Sequence, residues 1–251
     1  MPITPSGLLS LILLDEPSGA MTWKQIESHA QDVIEYCQHM GICLTESLNG
    51  GQALNSIKSA MDMFINNNKV ELVKREKLNQ VYYAVNEEAR VNLLFHKNMI
   101  VHHFFVPAVI NAVWFNIFSG DIKTPLELRS FLFTKRKELK YEFYLPKTGD
   151  LIEEGIKIVS YYINRKIHSI DEILDLTIED LYKVASRVRR FSTVLSYIYE
   201  AYYISAVAVK YLSEDKFSED KFLQISKELF EMEMEHGRVV RYSEAFTIPK
   251  M

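Results

Sequence analysis

Lys69-Val70-Glu71-Leu72-Val73-Lys74 and Gln80-Val81-Tyr82-Tyr83-Ala84-Val85 alternate in character, and the polar stretch Arg75 to Asn79 joins them. A period of two marks a strand with one covered face, so the two runs predict a β-hairpin. Upstream the period is helical. Pro5-Ser6 starts an apolar run from Leu8 to Leu14, which Asp15-Glu16-Pro17-Ser18-Gly19 breaks. Thr22 with Gln25 three residues on has the form of a capping box, and Ile26, His29, Val33, Ile34 and Cys37 follow at helical spacing. After Gly50-Gly51 a third helix is predicted from Ala53 to Ile65, ended by Asn66-Asn67-Asn68. Three helices and then a hairpin is the order of a winged-helix module. That topology serves DNA binding and plain protein contact alike, so it names no function.

Downstream of the hairpin the pattern stays helical. Asn86 caps a helix with Glu87 and Glu88 in its first turn, where the helix dipole favours negative charge. It is predicted to run to Phe118, bent or interrupted at Pro107, and to end at Ser119-Gly120-Asp121. Thr124-Pro125 opens another helix through Leu132, and Pro146 to Asp150 is a loop. Helices are predicted over Leu151 to Ile163, Ile178 to Leu212 and Ser218 to His236, the last stopped by Gly237, with an extended piece at Lys166 to Ser169. The expected fold is mainly α: a helical bundle-like body with an N-terminal winged-helix-like part. The expected subdomains are 1–85 and 86–251, meeting near Val85.

Composition narrows the class. Of 251 residues 48% are hydrophobic, enough to bury a sizeable core. The 29 basic and 33 acidic residues give a net charge of −4, which argues against a general nucleic-acid binder. Two cysteines make no disulfide framework and suit a reducing compartment. Cys37-Gln38-His39-Met40-Gly41-Ile42-Cys43 reads either as three metal ligands or as a helix end with packed thiols. Structural zinc wants four ligands and a closer cysteine pair, so no metal site is expected. The first residues lack the basic stretch of a signal peptide. Met99 to Phe118 lacks Asp, Glu, Lys and Arg but holds His102, His103, Pro107, Asn111 and Asn116. Those polar groups suit a buried core helix better than a membrane span, and a shallow membrane contact is the other reading.

Catalytic motifs are missing. There is no G-x-S-x-G elbow, phosphate loop or H-E-x-x-H pair, so neither catalytic residues nor a cofactor site is expected. Three polar clusters stand out. Within Phe95 to Pro107, Lys97, Asn98 and His102 fall on overlapping helical faces, suited to an anion or an acidic partner. The alternative is an internally bonded histidine and asparagine with Lys97 in water. Lys135-Arg136-Lys137-Glu138-Leu139-Lys140, followed by Tyr141, Phe143 and Tyr144, suits anionic headgroups or a solvated helix face. Arg187, Arg189, Arg190 and Phe191 lead into Tyr197, Tyr199, Tyr202 and Tyr203, the pattern of a core edge with wet hydroxyls.

In order along the chain, four stretches resemble the C-terminal region of glycerol-3-phosphate acyltransferases of the bacterial membrane and mitochondrial type. They are Ile3-Thr4-Pro5-Ser6-Gly7-Leu8-Leu9 through Leu14 with Met21-Thr22; Phe95-His96-Lys97-Asn98 with His102 and Pro107; Leu139-Lys140-Tyr141-Glu142-Phe143; and Gly237-Arg238-Val239 with Ser243-Glu244-Ala245. The second is similar to the family's Tyr-Tyr-(Lys/Arg)-Asn-Asn-x-x-x-His…Pro motif, with His96 for the second tyrosine and Met99 for the second asparagine. The family's catalytic His-x-x-x-x-Asp is absent. Five residues after the seven histidines stand Ile34, Leu44, Val101, Pro107, Ala108, Ile173 and Arg241. In that motif the imidazole takes the hydroxyl proton and the carboxylate orients the imidazole.

The resemblance therefore implies an accessory part, separate from the catalytic domain, of an enzyme that acylates position 1 of glycerol 3-phosphate in phospholipid biosynthesis. It implies acyl-CoA or acyl-carrier protein as donor of that parent enzyme, a catalytic domain on the same or a separate chain as partner, and an intracellular place peripheral to the bacterial inner or mitochondrial outer membrane. Lys97, Asn98, His102 and Glu142 are the implied domain-interface or phosphate contacts. A relative in peroxisomes acylates dihydroxyacetone phosphate, and Pro249-Lys250-Met251 has a weak likeness to a peroxisomal address. The alternative function is a non-catalytic winged-helix module that binds a protein or an anionic membrane surface.

Overall fold

The structure is a computed structural model that describes residues 1–16, 18–75, 79–212 and 218–239. The alternating runs form the hairpin: β2 (Val70–Arg75) pairs antiparallel with β3 (Gln80–Val85), from Val70↔Val85 to Arg75↔Gln80. A further strand, β1 (Ala20–Thr22), lies on the other edge of β3, with Met21 opposite Tyr83 and both buried. The sheet order is β1-β3-β2. Three residues are too few to show an alternation, so β1 was legible in sequence only as a break between helices.

The winged-helix-like part is completed by α1 (Pro5–Asp15), α2 (Trp23–Met40) and α3 (Ala53–Asn66). Thr4 Oγ1 accepts from Gly7 N at 3.1 Å, and Pro5 opens α1 where a missing N–H is harmless. Leu8, Leu9 and Leu11 to Leu14 are all buried, because a helix apolar on every side belongs in the interior. The capping box of Thr22 and Gln25 starts α2, and Gly41, at φ +69°, ends it.

The helix expected from Asn86 to Phe118 is two helices, α4 (Arg90–Asn98) and α5 (Phe105–Ser119), each preceded by a 3₁₀ turn, Glu87–Ala89 and Val101–Phe104. The interruption precedes Pro107 by a turn rather than falling on it. In a continuous helix the Pro107 ring would strike the carbonyl of His103, so the chain breaks before it and Pro107 sits in the first turn of α5. The body continues with α6 (Pro125–Leu139), α7 (Thr148–Ile163), α8 (Ile170–Leu174), α9 (Ile178–Val188), α10 (Ser196–Leu212) and α11 (Glu219–Glu235). Lys166 to Ser169 is non-helical, and Ser169, extended at φ −145°, caps the first turn of α8. One further expectation is corrected. The helix expected over Ile178 to Leu212 breaks at Arg189 to Leu195, because there Phe191, Val194 and Leu195 turn inward. Phe191 packs 5.2 Å from Tyr36 and 5.5 Å from Phe104, ring to ring.

One apolar cluster runs from Ile3 to Ile198, across the hairpin and the helical body alike. Its tightest helix pair is α1 on α4, where Gly7 admits Ile100 and the His96 carbonyl. Trp114 of α5 is fully buried and donates to the Leu181 carbonyl at 2.9 Å. A smaller cluster of Ile204, Ala208, Leu229, Phe230 and Val239 joins α10 to α11. Val101–Ser119 is long and apolar enough to cross a membrane by length and composition, but 56% of it is buried in the protein.

Candidate functional site

Leu93 and Lys97 are one helical turn apart on α4, so both point at α1. Lys97 is fully buried, and its Nζ lies 2.8 Å from Oδ1 of Asp15, the last residue of α1. Burial pushes the Asp15 carboxyl above its ordinary range, while the Lys97 charge and hydrogen bond act in the opposite sense. The Lys97 ammonium also stands over the Tyr197 ring, 5.4 Å from its centroid. Thr193 Oγ1 donates to the Asp15 carbonyl at 3.4 Å, which ties the start of the α10 region to the same point.

Asn98, the next residue round the helix, is exposed, and its Oδ1 accepts from the Tyr197 hydroxyl at 3.0 Å. Burial, and then the carboxylates of Glu142 and Asp15, raise the Tyr197 hydroxyl above its usual range. His102 lies in the 3₁₀ turn; burial, and then the neighbouring His103, lower its imidazole. Glu142 follows α6, in a loop pinned by buried Leu139 and Leu145 and by Arg136 Nε, which donates to the Pro146 carbonyl. Glu142 Oε1 accepts from the Tyr202 hydroxyl at 2.9 Å. Burial and that hydrogen bond push Tyr202 up to about 12.

Asn98, His102 and Glu142 line one hollow of about 550 Å³ with Val101, Phe143, Tyr144, Tyr197 and Ile198. Three of the four residues singled out in the sequence thus meet at one place. Lys97 departs from the expected surface contact: it lies behind the Tyr197 wall, its ammonium turned to Asp15. Sequence reading missed Asp15 and Tyr197. A lysine at a core-facing position requires a buried anion, but Asp15 reads as helix punctuation, and Tyr197 was one of many tyrosines.

The Arg187, Arg189, Arg190 cluster lies elsewhere. Arg189 and Arg190 line a hollow of about 360 Å³ with Asp15, Glu16 and His29. Arg190 pairs closely with Asp32, which Arg187 also approaches at 3.5 Å. Burial and the Arg190 charge lower the His29 imidazole. Cys37 is buried, Cys43 is exposed, and the His39 ring stacks on Tyr161 at 3.8 Å. Among the described residues no group of three or more His, Cys, Asp or Glu is placed to hold a metal ion. Gly237-Arg238-Val239 belongs to the α10–α11 pair: Arg238 meets Glu233 at 3.3 Å, and Glu233 accepts from the Tyr203 hydroxyl at 3.1 Å. Ser243-Glu244-Ala245 and Pro249-Lys250-Met251 lie outside the described residues.

A family model for the glycerol-3-phosphate acyltransferase C-terminal region matches residues 1–247. A search of curated proteins finds no match.

Proposed function

This chain belongs to the glycerol-3-phosphate acyltransferase C-terminal region family, and on that premise we propose that it is the accessory part of a glycerol 3-phosphate 1-O-acyltransferase. It docks on a catalytic domain, on the same or a separate chain, which carries the His-x-x-x-x-Asp pair. That domain moves an acyl group from acyl-CoA or acyl-carrier protein to the substrate hydroxyl. The observation that supports this reading most is the convergence at one hollow of residues from two family-like stretches, Asn98 with His102 and Glu142, above a buried Lys97–Asp15 pair that holds α4 on α1. Among the described residues no histidine ring is hydrogen-bonded to a carboxylate, so no base-and-orienter pair is formed among them.

The test is to purify the chain, assay acylation of glycerol 3-phosphate, and then add an acyltransferase domain that contains His-x-x-x-x-Asp. Binding, with turnover only in the mixture, supports the proposal. Turnover by the chain alone, or no binding, overturns it.

A second reading, compatible with the first, places α6 on an anionic membrane surface. Leu126 is 77% and Phe133 56% exposed, and exposed Arg129, Lys137 and Lys140 share their helical face. Exposed Tyr141 and Tyr144 follow. Interleaved cations and large apolar groups suit the headgroup boundary. Sedimentation with phosphatidylglycerol vesicles tests this: binding that falls with salt supports it, and no binding at low salt excludes it. The outward face of α3, with Asn55, Ser59 and Asp62, offers no cation pattern for a nucleic-acid backbone.

A further inference from the structure

We infer that the hollow bounded by Asn98, His102, Glu142, Tyr144 and Tyr197 receives an arginine side chain of the partner acyltransferase domain, not a phosphate group. The inference rests on the docking reading and names the chemistry of the contact. Glu142 is exposed at the hollow, and among the described residues it has no ion-pair partner. One of its oxygens accepts from Tyr202, which leaves the other for a donor from outside.

The nearby cations are engaged. Lys97 is buried behind the Tyr197 ring and bonded to Asp15. Lys135 pairs with Glu138 at 2.8 Å, and Lys140 lies over the Tyr141 ring at 4.6 Å. His102 is neutral at pH 7, because its imidazole is held below its ordinary value. The one formal charge lining the hollow is therefore negative.

A phosphate entering there meets the Glu142 carboxylate, which has no ion-pair partner among the described residues, and no lysine or arginine in the lining. A guanidinium meets that carboxylate together with the rings of Phe143, Tyr144 and Tyr197. Its planar fork suits both an aromatic face and a carboxylate, which favours arginine over lysine.

The full chain, with isotope-labelled tyrosine, histidine and asparagine side chains, is titrated with N-acetyl-arginine methylamide and separately with inorganic phosphate. Saturable shifts of Tyr197, His102 and Asn98 with the arginine probe alone are expected. Glu142→Gln should weaken that binding about tenfold, since the acceptor loses its charge and the pair is no longer charge-assisted on both sides. Tyr144→Ala, at a fully exposed residue, should weaken it without changing the thermal midpoint. Shifts with phosphate and not arginine, or with neither, overturn the inference. Binding of the catalytic domain is measured in parallel. Equal binding by wild type and Glu142→Gln overturns the arginine contact while the docking reading stands. No domain binding, with a successful arginine titration, overturns the docking reading alone and leaves the cation preference in place.

Discussion

Lys97 Nζ lies 2.8 Å from Asp15 Oδ1, although the residues are 82 apart in the sequence, and their side chains are 0% and 12% exposed. The contact joins the last turn of α4 to the last residue of α1. A carboxylate at a helix C-terminus faces the negative end of its own dipole, so Asp15 is poorly placed to be charged without a cation against it. The pair anchors the end of α4 on α1, one residue before Asn98.

Removing one partner should therefore be far worse than removing both. Lys97→Met leaves a buried carboxylate uncompensated and should destabilise the chain by about 3–5 kcal/mol. Lys97→Met combined with Asp15→Leu should recover most of that loss. The Asp15 carboxyl stands above its unfolded value of 3.8, so its contribution is complete below that value and is lost as pH rises through the folded one. Without Lys97 it rises further. The deficit of Lys97→Met should be largest at neutral pH and shrink towards about pH 5. Urea unfolding of the three proteins at both pH values checks this, and equal deficits for single and double variants would contradict it.

His29 should act in the opposite direction. Burial and the Arg190 charge hold its imidazole below the unfolded value of 6.5. A lowered folded value means that the unfolded chain binds the proton more readily. The contribution is complete above 6.5 and is lost as pH falls through the folded value. Wild-type stability should therefore drop more steeply than that of His29→Gln between about pH 7 and pH 5. Parallel pH profiles would show that the imidazole does not titrate with folding.

The parts of the fold that were legible in sequence are those set by local chemistry. Thr22 with Gln25 and Thr124 with Pro125 start helices where expected, and the period of two at Val70 and Val85 gives a strand pair. What sequence left out depends on partners distant in the chain. β1 exists because β3 offers it an edge. The interruption at Arg189 to Leu195 exists because Tyr36 and Phe104 offer Phe191 a surface. At the site, Asn98 and His102 were found as polar residues in an apolar stretch as well as by resemblance, and Glu142 by resemblance. Burial of Lys97 was not, because a lysine in an amphipathic pattern reads as solvated until a carboxylate is seen to face it. Tyr197, which links Lys97 to Asn98, reads in sequence as a core-edge tyrosine like its neighbours, with no signal of which partners it meets.

The two thiols should separate cleanly by reactivity. Cys37 is fully buried, and burial pushes its thiol up to about 12, so thiolate is scarce at neutral pH. Cys43 is exposed. A thiol reagent at pH 7 should label Cys43 rapidly in the native chain, and Cys37 at the rate of unfolding. Mass mapping of the labelled peptides reads the order. Rapid labelling of Cys37 in folded protein would show that the α2 core opens locally.

Gly7 tests whether the α1–α4 spacing is a requirement of the site. A Cβ there would stand 3.2 Å from Thr4 Oγ1, 3.3 Å from Ile100 Cγ2 and 3.4 Å from the His96 carbonyl oxygen. The hydroxyl caps α1 and the carbonyl belongs to the α4 backbone, so neither can retreat without loosening a helix. Alanine favours a helix over glycine by about 1 kcal/mol, whereas overpacking costs about 1–3 kcal/mol. The clash should win, and Gly7→Ala should destabilise by about 1 kcal/mol or more. Pushing α4 outward also lengthens the reach from Lys97 to Asp15, so the variant should make Lys97→Met less damaging than it is in wild type. A double-mutant cycle on Gly7 and Lys97 measures that coupling. Strict additivity would mean that the helix spacing and the ion pair are independent.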